Sequence, residues 1–489
     1  MKEKRYIIGL DEGTTSARAV VYDIKKNKIV AISGQSFRQY YPNEGWVEQD
    51  AEEVFFALEY SLRKALNESK INLDQVVSMG LTNQRETVVA WDKQTGVPIY
   101  NAIVWQCRRT ADVINKLTQE QRDYIKQVTG LVADPYFSAS KMQWILKNVP
   151  EAKKLEKEGR LCLGTIDSYI AFKLTGNFVT DTSNASRTML FNIHTLDWDD
   201  NLLKMWGIKR ESLAKVVSSS EVVGNVAEFN NIELASIIGD QQASLVGHGC
   251  LSKGQTKVTY GTGAFILTNA GNKITTESDK LLTTIAYTVK GKTVYALEGS
   301  VFSACSAINW LKFNMKMFER VEHTEKMALS EKDNGGVYFV PAFTGLGAPY
   351  WNPQARACYV GINFATNKNH MVRAVLESLA YGTVSITREM EKCGVKIKQL
   401  RADGGGSKNN FVLQFLSDIS NIDVFRSESS ECTVLGAIYL AGVASDVIKF
   451  EDIAKLSQVT DKFSSNMDKK KRELLLNGWE KAVQRSNWV

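Results

Sequence analysis

Histidine and cysteine are scarce, with four and seven in 489 residues. The cysteines stand far apart, at Cys107, Cys162, Cys250, Cys305, Cys358, Cys393 and Cys432, with no CxxC pair. That pattern argues against a disulfide framework and against a zinc site. Proline is rare too, with seven, and no Pro-rich or low-complexity stretch divides the chain, so any domain boundary is a compact crossover. No apolar run approaches the roughly 18 residues of a membrane span. The opening MKEKRYIIGLDEG reaches Gly and Asp before a signal-peptide core forms, and a cytoplasmic location is expected. Neither charge sign dominates: 60 Lys and Arg against 54 Asp and Glu leave a net +6, too little over this length to point to nucleic acid.

What is present is a globular composition, 44% hydrophobic and 23% charged. At about 150 residues per domain the length suggests two to four domains. The runs YIIGL, ARAVVYDI and IVAISGQSF, separated by DEGTTS and KKNK, read as an antiparallel meander. AEEVFFALEYSLRKALNES has apolar positions at helical spacing, VVSMGLTNQRE is an apolar strand ending in polar side chains, and TVVAWDKQTGVPIYNAIVW looks like a hairpin. The basic run Lys469 to Arg472 reads as the solvated start of a C-terminal helix. Strands mixed with helices place the chain in the α/β class. Near residue 256 the opening theme returns: TKVTYGTGAFILTN has two β-rich arms around a Gly-Thr turn, followed by TVYALEG, helical segments and LRADGGGSKNNF. The simplest account is two similar α/β domains, 1–245 and 246–489, each presenting a glycine-rich turn to a shared cleft.

Three strand-ending turns carry phosphate chemistry: Asp11-Glu12-Gly13-Thr14-Thr15-Ser16, Tyr260-Gly261-Thr262-Gly263 and Asp403-Gly404-Gly405-Gly406. Without Cβ atoms, backbone N–H groups can converge on an anion while a neighbouring hydroxyl adds a donor. Singly, each is equally a hairpin turn that satisfies its own backbone. None is a Walker A loop. Asp240 lies between the apolar IIG and the helical ASLVGHG, where it serves as an N-cap, as a base for a hydroxyl proton, or as both. Asn83-Gln84-Arg85-Glu86 is either a structural ion pair or a polyol reader, since Arg supplies fixed donors and Glu accepts. Trp105 and Tyr136 are the nearest candidates for apolar walls.

These residues resemble a known family. LDEGTTSARAV, YPNEGWVEQD, GLTNQRETVVAWDKQTGVPIYNAIVWQCRRT, DPYFSASKMQWILKN, TDTSNASRTMLFNIHTLDWDD, GDQQASLVG, YGTGAF, VPAFTGLGAPYWNP and HMVRAVLESLAYGT are similar to the FGGY carbohydrate kinases, from about residue 5 to 445. NQRET, NAIVWQCRRT and NASRTMLFNIHTLDWD are closer to the members acting on glycerol than to those acting on xylulose, gluconate or rhamnulose. The resemblance implies a two-domain actin-like, ribonuclease H-like ATPase fold with an interdomain catalytic cleft that closes on its substrates. It implies ATP with Mg2+, the C3 hydroxyl of glycerol as acceptor, and a homo-oligomer, dimer or tetramer. Carried over position by position, Asp240 is the catalytic base. Arg85, Glu86, Tyr136, Asp240 and Gln241 bind glycerol hydroxyls, with Trp105 and Phe265 against its carbons. Thr14, Thr15, Ser16 and Arg18 form the first phosphate loop and Thr262 the second, while Gly405 and Asn409 lie on the adenosine side. Asp11 and Asp240 are the magnesium candidates. Three positions depart from the family pattern: Glu12 replaces a usual Gln, and the nucleotide-lining Cys305 and Asn309 replace Gly and Gln. A sister sugar kinase would differ around Arg85 and Glu86, and a nucleotide-switch ATPase would lack the polyol reader.

Some bacterial members resembling this chain are inhibited by fructose 1,6-bisphosphate, which they bind on a Gly- and Arg-containing loop before the GDQQ motif. Here that stretch, Glu221 to Ser236, has no Lys or Arg and carries Glu221, Glu228 and Glu233. Two phosphates need opposite charge or converging donors to offset their desolvation. Initial rates titrated with millimolar bisphosphate should therefore show no saturable inhibition; a saturable curve contradicts this expectation.

Overall fold

The computed structural model describes residues 4–274 and 278–487. Its centre is a 13-stranded sheet. The first half of the chain supplies β1 (Tyr6–Glu12), β2 (Ser16–Asp23), β3 (Lys28–Ser36), β4 (Val76–Asn83), β5 (Ser220–Val226) and β6 (Ile232–Gly239). The second supplies β7 (Gln255–Tyr260), β8 (Ala264–Gly271), β9 (Leu282–Val289), β10 (Lys292–Val301), β11 (Gln399–Asp403), β12 (Val424–Ser427) and β13 (Val459–Phe463). The order across the sheet is β13-β12-β11-β7-β8-β10-β9-β5-β6-β4-β1-β2-β3.

The repeat expected near residue 256 is present strand for strand. β1, β2 and β3 form an antiparallel meander, and β1, β4 and β6 run parallel. In the second half β7, β8 and β10 form the meander, and β7, β11 and β12 run parallel. β9 is an added antiparallel arm on β10. The seam is narrow: β5, paired to β6, meets β9 only at Ser220↔Val289. The acidic stretch 221–236 therefore lies in the β5/β6 hairpin at this seam. Parallel strands are covered on both faces, and every residue of β4 is buried accordingly. The segment 88–103 forms a partial hairpin. Val88–Asp92 is a strand of a small antiparallel sheet, but its return is regular only at Ala102–Ile103.

The helices that frame the site are α1 (Ala51–Ser69), α2 (Asp240–Gly247), α3 (Cys305–Phe313), α4 (Lys368–Lys392), α5 (Asn410–Ser420), α6 (Cys432–Ala444) and α7 (Lys469–Arg485). α1 starts where the Asp50 side chain accepts from the N–H groups of Glu52 and Glu53, and it buries Val54, Leu58 and Leu62 at helical spacing. α7 is the expected C-terminal helix, capped by Asp468. Among the described residues no helix is long and apolar enough to cross a membrane.

α2 follows β6, and α6 occupies the equivalent place after β12. α6 is apolar on every side and buried from Val434 to Val443, as a helix between two layers must be. The two helices meet backbone to backbone. A Cβ on Gly247 would lie 1.8 Å from the carbonyl oxygen of Cys432, and one on Gly436 would lie 1.9 Å from that of Ala243. α6 also presses on β4, where a Cβ on Gly80 would lie 2.4 Å from the Ala437 oxygen. Around this crossing Ile7, Val77 and Ile238 share one core with Leu267, Ala286 and Ile438.

Overpacking a close-packed core costs about 1–3 kcal/mol, and here the obstructing atoms are backbone. Gly436→Ala should therefore lower unfolding stability by at least about 3 kcal/mol in urea titrations. Gly405→Ala, which meets nothing within 4 Å, should stay within about 0.5 kcal/mol of the parent.

Candidate active site

After β4 the chain turns through Gln84, Arg85 and Glu86. Glu86 takes φ +63°, a region that L-residues seldom occupy, and Ser138 Oγ donates to its carbonyl at 3.1 Å. The turn sends both charges inward, leaving Arg85 3% and Glu86 1% exposed. They do not pair closely with each other, their nearest approach being 3.9 Å. Arg85 donates two bonds to Glu298, at 2.6 and 3.0 Å. The buried Arg187 donates to Glu86 at 2.5 Å and to Glu298 at 3.2 Å. Two arginines and two glutamates thus alternate out of water. Burial alone would raise the Glu298 carboxyl, but Arg187 and Arg85 outweigh it and hold the group at about 2. At Glu86 burial prevails over the same two arginines and the carboxyl is raised.

Arg85 Nε also reaches Asp240 Oδ1 at 3.2 Å. Asp240 is not the N-cap of α2. Gly239 holds that place, and Asp240 is the first helical residue, its Oδ1 accepting from the Gln241 N–H at 2.7 Å. Glycine precedes it for a steric reason, since a Cβ at 239 would lie 2.8 Å from Arg85 Cγ. The Asp240 side chain remains 31% exposed, at the positive end of its helix. Arg85 Nη2 donates to the Tyr136 hydroxyl at 3.5 Å. The Tyr136 ring meets Trp105 edge-on at 5.6 Å, and the Trp105 indole N–H donates to Thr14 Oγ1 at 3.1 Å. One chain of contacts therefore joins Asp240 and Gln241 through Arg85, Tyr136 and Trp105 to the first phosphate turn.

That turn is fixed from behind. Gln39 and Gln49 both donate to the Thr14 carbonyl, and Gly13 N–H donates to the Ser16 carbonyl. Thr15 is exposed and Ser16 half-buried, and with Asp11 and Arg18 they line a cavity of about 250 Å3. Its far wall is Ser430, Glu431 and Thr433 at the start of α6. Arg18 pairs with Glu431 at 3.2 Å across the seam. Burial pushes the Asp11 carboxyl up to about 7; Arg18 opposes this, while Asp240 and Glu431 reinforce it. A carboxyl crowded by like charge is relieved by a divalent cation, and the oxygen donors of Asp11 and Asp240, at the ends of β1 and β6, suit magnesium. Glu12 turns away from the turn. It accepts from the Gln84 side chain at 2.6 Å and the Gln84 N–H at 3.2 Å, and burial pushes its carboxyl well above the usual range. Its carboxyl oxygens are therefore taken up by Gln84, and Glu12 does not line the cavity that its neighbours Asp11 and Gly13 face.

On the nucleotide side, Thr262 is exposed at the tip of the second turn. The carbonyls of Gly261 and Thr262 accept from the N–H groups of Cys305 and Ala304, at 3.1 and 2.8 Å, which seats α3 under the turn. The Cys305 thiol faces the Tyr260 carbonyl at 3.5 Å and lies 3.0 Å from where a Gly406 Cβ would stand; burial pushes it up to about 11. Gly404, at φ +83°, leaves no room for a Cβ against Tyr260, so the second and third turns nest on one residue. Gly405 is exposed beside them. Asn409 caps α5 through Val412 N–H and donates to Thr324 Oγ1, both at 3.2 Å. Asn309 is exposed on α3, and among the described residues no hydrogen bond ties it to the other candidates. Phe265 is half-buried on β8, opposite Ser300 of β10.

Local sequence patterns do not reveal five contributors: Arg187; Gln242, whose Oε1 accepts from Arg85 Nη1 at 3.3 Å; Lys257, which donates to Gln241; Glu298; and Glu431. Glu298 did leave a signal, a lone carboxylate inside the apolar strand TVYALEG, which demands a buried partner. Removing one member of a buried charge set costs about 3–5 kcal/mol. Glu298→Gln should therefore lower unfolding stability by about that much at pH 7. The depressed carboxyl stabilises the fold fully above its unfolded value of 4.5 and loses this as pH falls toward 2. Denaturant titrations over that window should show a shallower pH slope for Glu298→Gln than for the parent; equal slopes would place the loss elsewhere.

Residues 6–247 match the family model described as the FGGY family of carbohydrate kinases, N-terminal domain, and residues 256–445 match its C-terminal domain. Glycerol kinase of Haemophilus influenzae is 47% identical, covering 99% of this chain and 98% of its own. Glycerol kinase 2 of Thermotoga maritima is 46% identical, covering 99% of each. Among solved structures, Plasmodium falciparum glycerol kinase with ADP superposes with TM-score 0.94 at 35% identity, covering 99% of this chain and 98% of that one. Gluconate kinase of Lactobacillus acidophilus follows with TM-score 0.88 at 25% identity, covering 99% and 97%. With both family models matched in order, near-full-length identity to these relatives and the paired glycine-rich turns in place, the chain belongs to the FGGY family of carbohydrate kinases, in its glycerol kinase branch.

Proposed function

We propose that the protein transfers the γ-phosphoryl group of ATP to the C3 hydroxyl of glycerol, giving sn-glycerol 3-phosphate and ADP. The observation that carries the chemistry is Asp240, a part-exposed carboxylate on the first turn of α2, oriented by Arg85 and Gln241. A base so placed accepts the hydroxyl proton as the phosphoryl group arrives. Glycerol lies along Arg85, Glu86, Tyr136 and Gln241, its carbons against Trp105 and Phe265. Because Glu298 holds Arg85 and Arg187 holds Glu86, the two readers of the polyol are set before substrate arrives, and little ordering remains to be done.

The first turn, Thr14 to Ser16 with Arg18, and the second turn at Thr262 hold the β- and γ-phosphates. Cys305, Asn309, Gly405 and Asn409 flank the adenosine. Asp11 and Asp240 would hold magnesium, which would neutralise charge on the transferring phosphates. We place the two lobes at 1–245 and 246–489, with the reaction in the cleft between them and closure excluding water.

An ADP-release assay over a panel of acceptors should give turnover with glycerol and much less with pentuloses and aldonic acids; equal rates on xylulose and glycerol would refute the substrate. Asp240→Asn should lower kcat on the order of 10²- to 10⁴-fold while glycerol binding, measured by calorimetry, largely survives. Near parental kcat would reduce Asp240 to a structural residue.

A further inference from the structure

Lys257 is fully buried in the middle of β7, three residues before the turn that carries Thr262. Its ammonium donates to Gln241 Oε1 and to Thr259 Oγ1, the latter at 3.1 Å. Gln241 in turn donates its amide N–H to Asp240 Oδ2 at 3.2 Å and its backbone N–H to Oδ1 at 2.7 Å. The path Lys257–Gln241–Asp240 crosses the molecule. β7 belongs to the segment matching the C-terminal family model, whereas α2 belongs to the N-terminal one.

An amide has two faces of opposite character. With a cation on its oxygen, Gln241 must present N–H to Asp240; without the cation, its carbonyl can turn toward the carboxylate and repel it. A buried ammonium is expensive to desolvate, and a methionine of similar length would fill the same space without that penalty. Burial lowers the Lys257 ammonium to about 8, against the pull of Asp403 and Asp240. Asp403 opens the third glycine-rich turn, so the charge sits among the catalytic carboxylate and two of the nucleotide-side turns.

We propose that Lys257 is a positioning residue for phosphoryl transfer, fixing the direction of Gln241 and through it the carboxylate of Asp240. This inference rests on the assignment of Asp240 as the base. Displacing a reacting group by about 1 Å can cost on the order of 10²-fold in rate. Lys257→Met should accordingly lower kcat by about tenfold to a hundredfold, with the KM values for ATP and glycerol changed only a few-fold.

The test is a cycle of the parent, Lys257→Met, Gln241→Leu and the double variant, each measured for kcat, both KM values and thermal unfolding. If Lys257 acts through Gln241, Lys257→Met causes no further loss of kcat in the Gln241→Leu background. Losses that multiply, or a Lys257→Met kcat within twofold of the parent, overturn the proposal. Should Lys257→Met not fold, Lys257→Gln, neutral but still a donor, replaces it in the cycle and is judged by the same non-additivity. Asp240→Asn run alongside separates the two claims. An active Asp240→Asn enzyme removes the base itself, whereas a dead one beside a fully active Lys257→Met enzyme removes only the role of Lys257.

Discussion

The contact between α2 and α6 brings backbone against backbone at two glycines, and much of the molecule follows from that. Gly247 and Gly436 let two helices from opposite halves of the chain touch through their carbonyl oxygens. Any larger residue would push α2 away from α6, and with it the helix start that presents Asp240. The same approach seats α6 on β4, whose last residue leads into Arg85 and Glu86. Packing among α2, α6 and β4 therefore places the backbone that carries Asp240 and Arg85, and polar partners then orient the two side chains.

The second constraint is electrical. Arg85, Glu86, Arg187 and Glu298 lie in a region with almost no water, where an unpaired charge would be expelled or neutralised. They coexist because they alternate in sign and share hydrogen bonds, and because Glu298 comes from β10 in the second half while the other three come from the first. The charge set is therefore complete only when both halves are in place. A set held this way keeps its donors and acceptors in a fixed pattern.

Local patterns made much of this legible. The meander β1 to β3, the bounds of α1 and the return of the theme at β7 and β8 follow from alternation, helical spacing and Gly-Thr punctuation, which are properties of adjacent residues. Partnerships over long separations are not. Glu298 lies 213 positions from Arg85, and Arg187 lies 101 from Glu86, so composition and spacing hold no record of their meeting. The N-cap of α2 was misplaced by one residue. Glycine and aspartate are both common caps, and the steric demand of Arg85 on Gly239 that settles the matter comes from another strand. Adjacency suggests an Arg85–Glu86 pair; the left-handed turn at Glu86 leaves these two 3.9 Å apart and gives each a closer partner, Glu298 and Arg187.

Glu12 shows that a residue beside a turn need not face it. Its neighbours Asp11 and Gly13 line the cavity at the first turn, whereas Glu12 is buried with both carboxyl oxygens accepting from Gln84. A surface map that scores position 12 by its letter would add a third carboxyl to that cavity wall, beside those of Asp11 and Glu431, where the fold has turned the side chain inward.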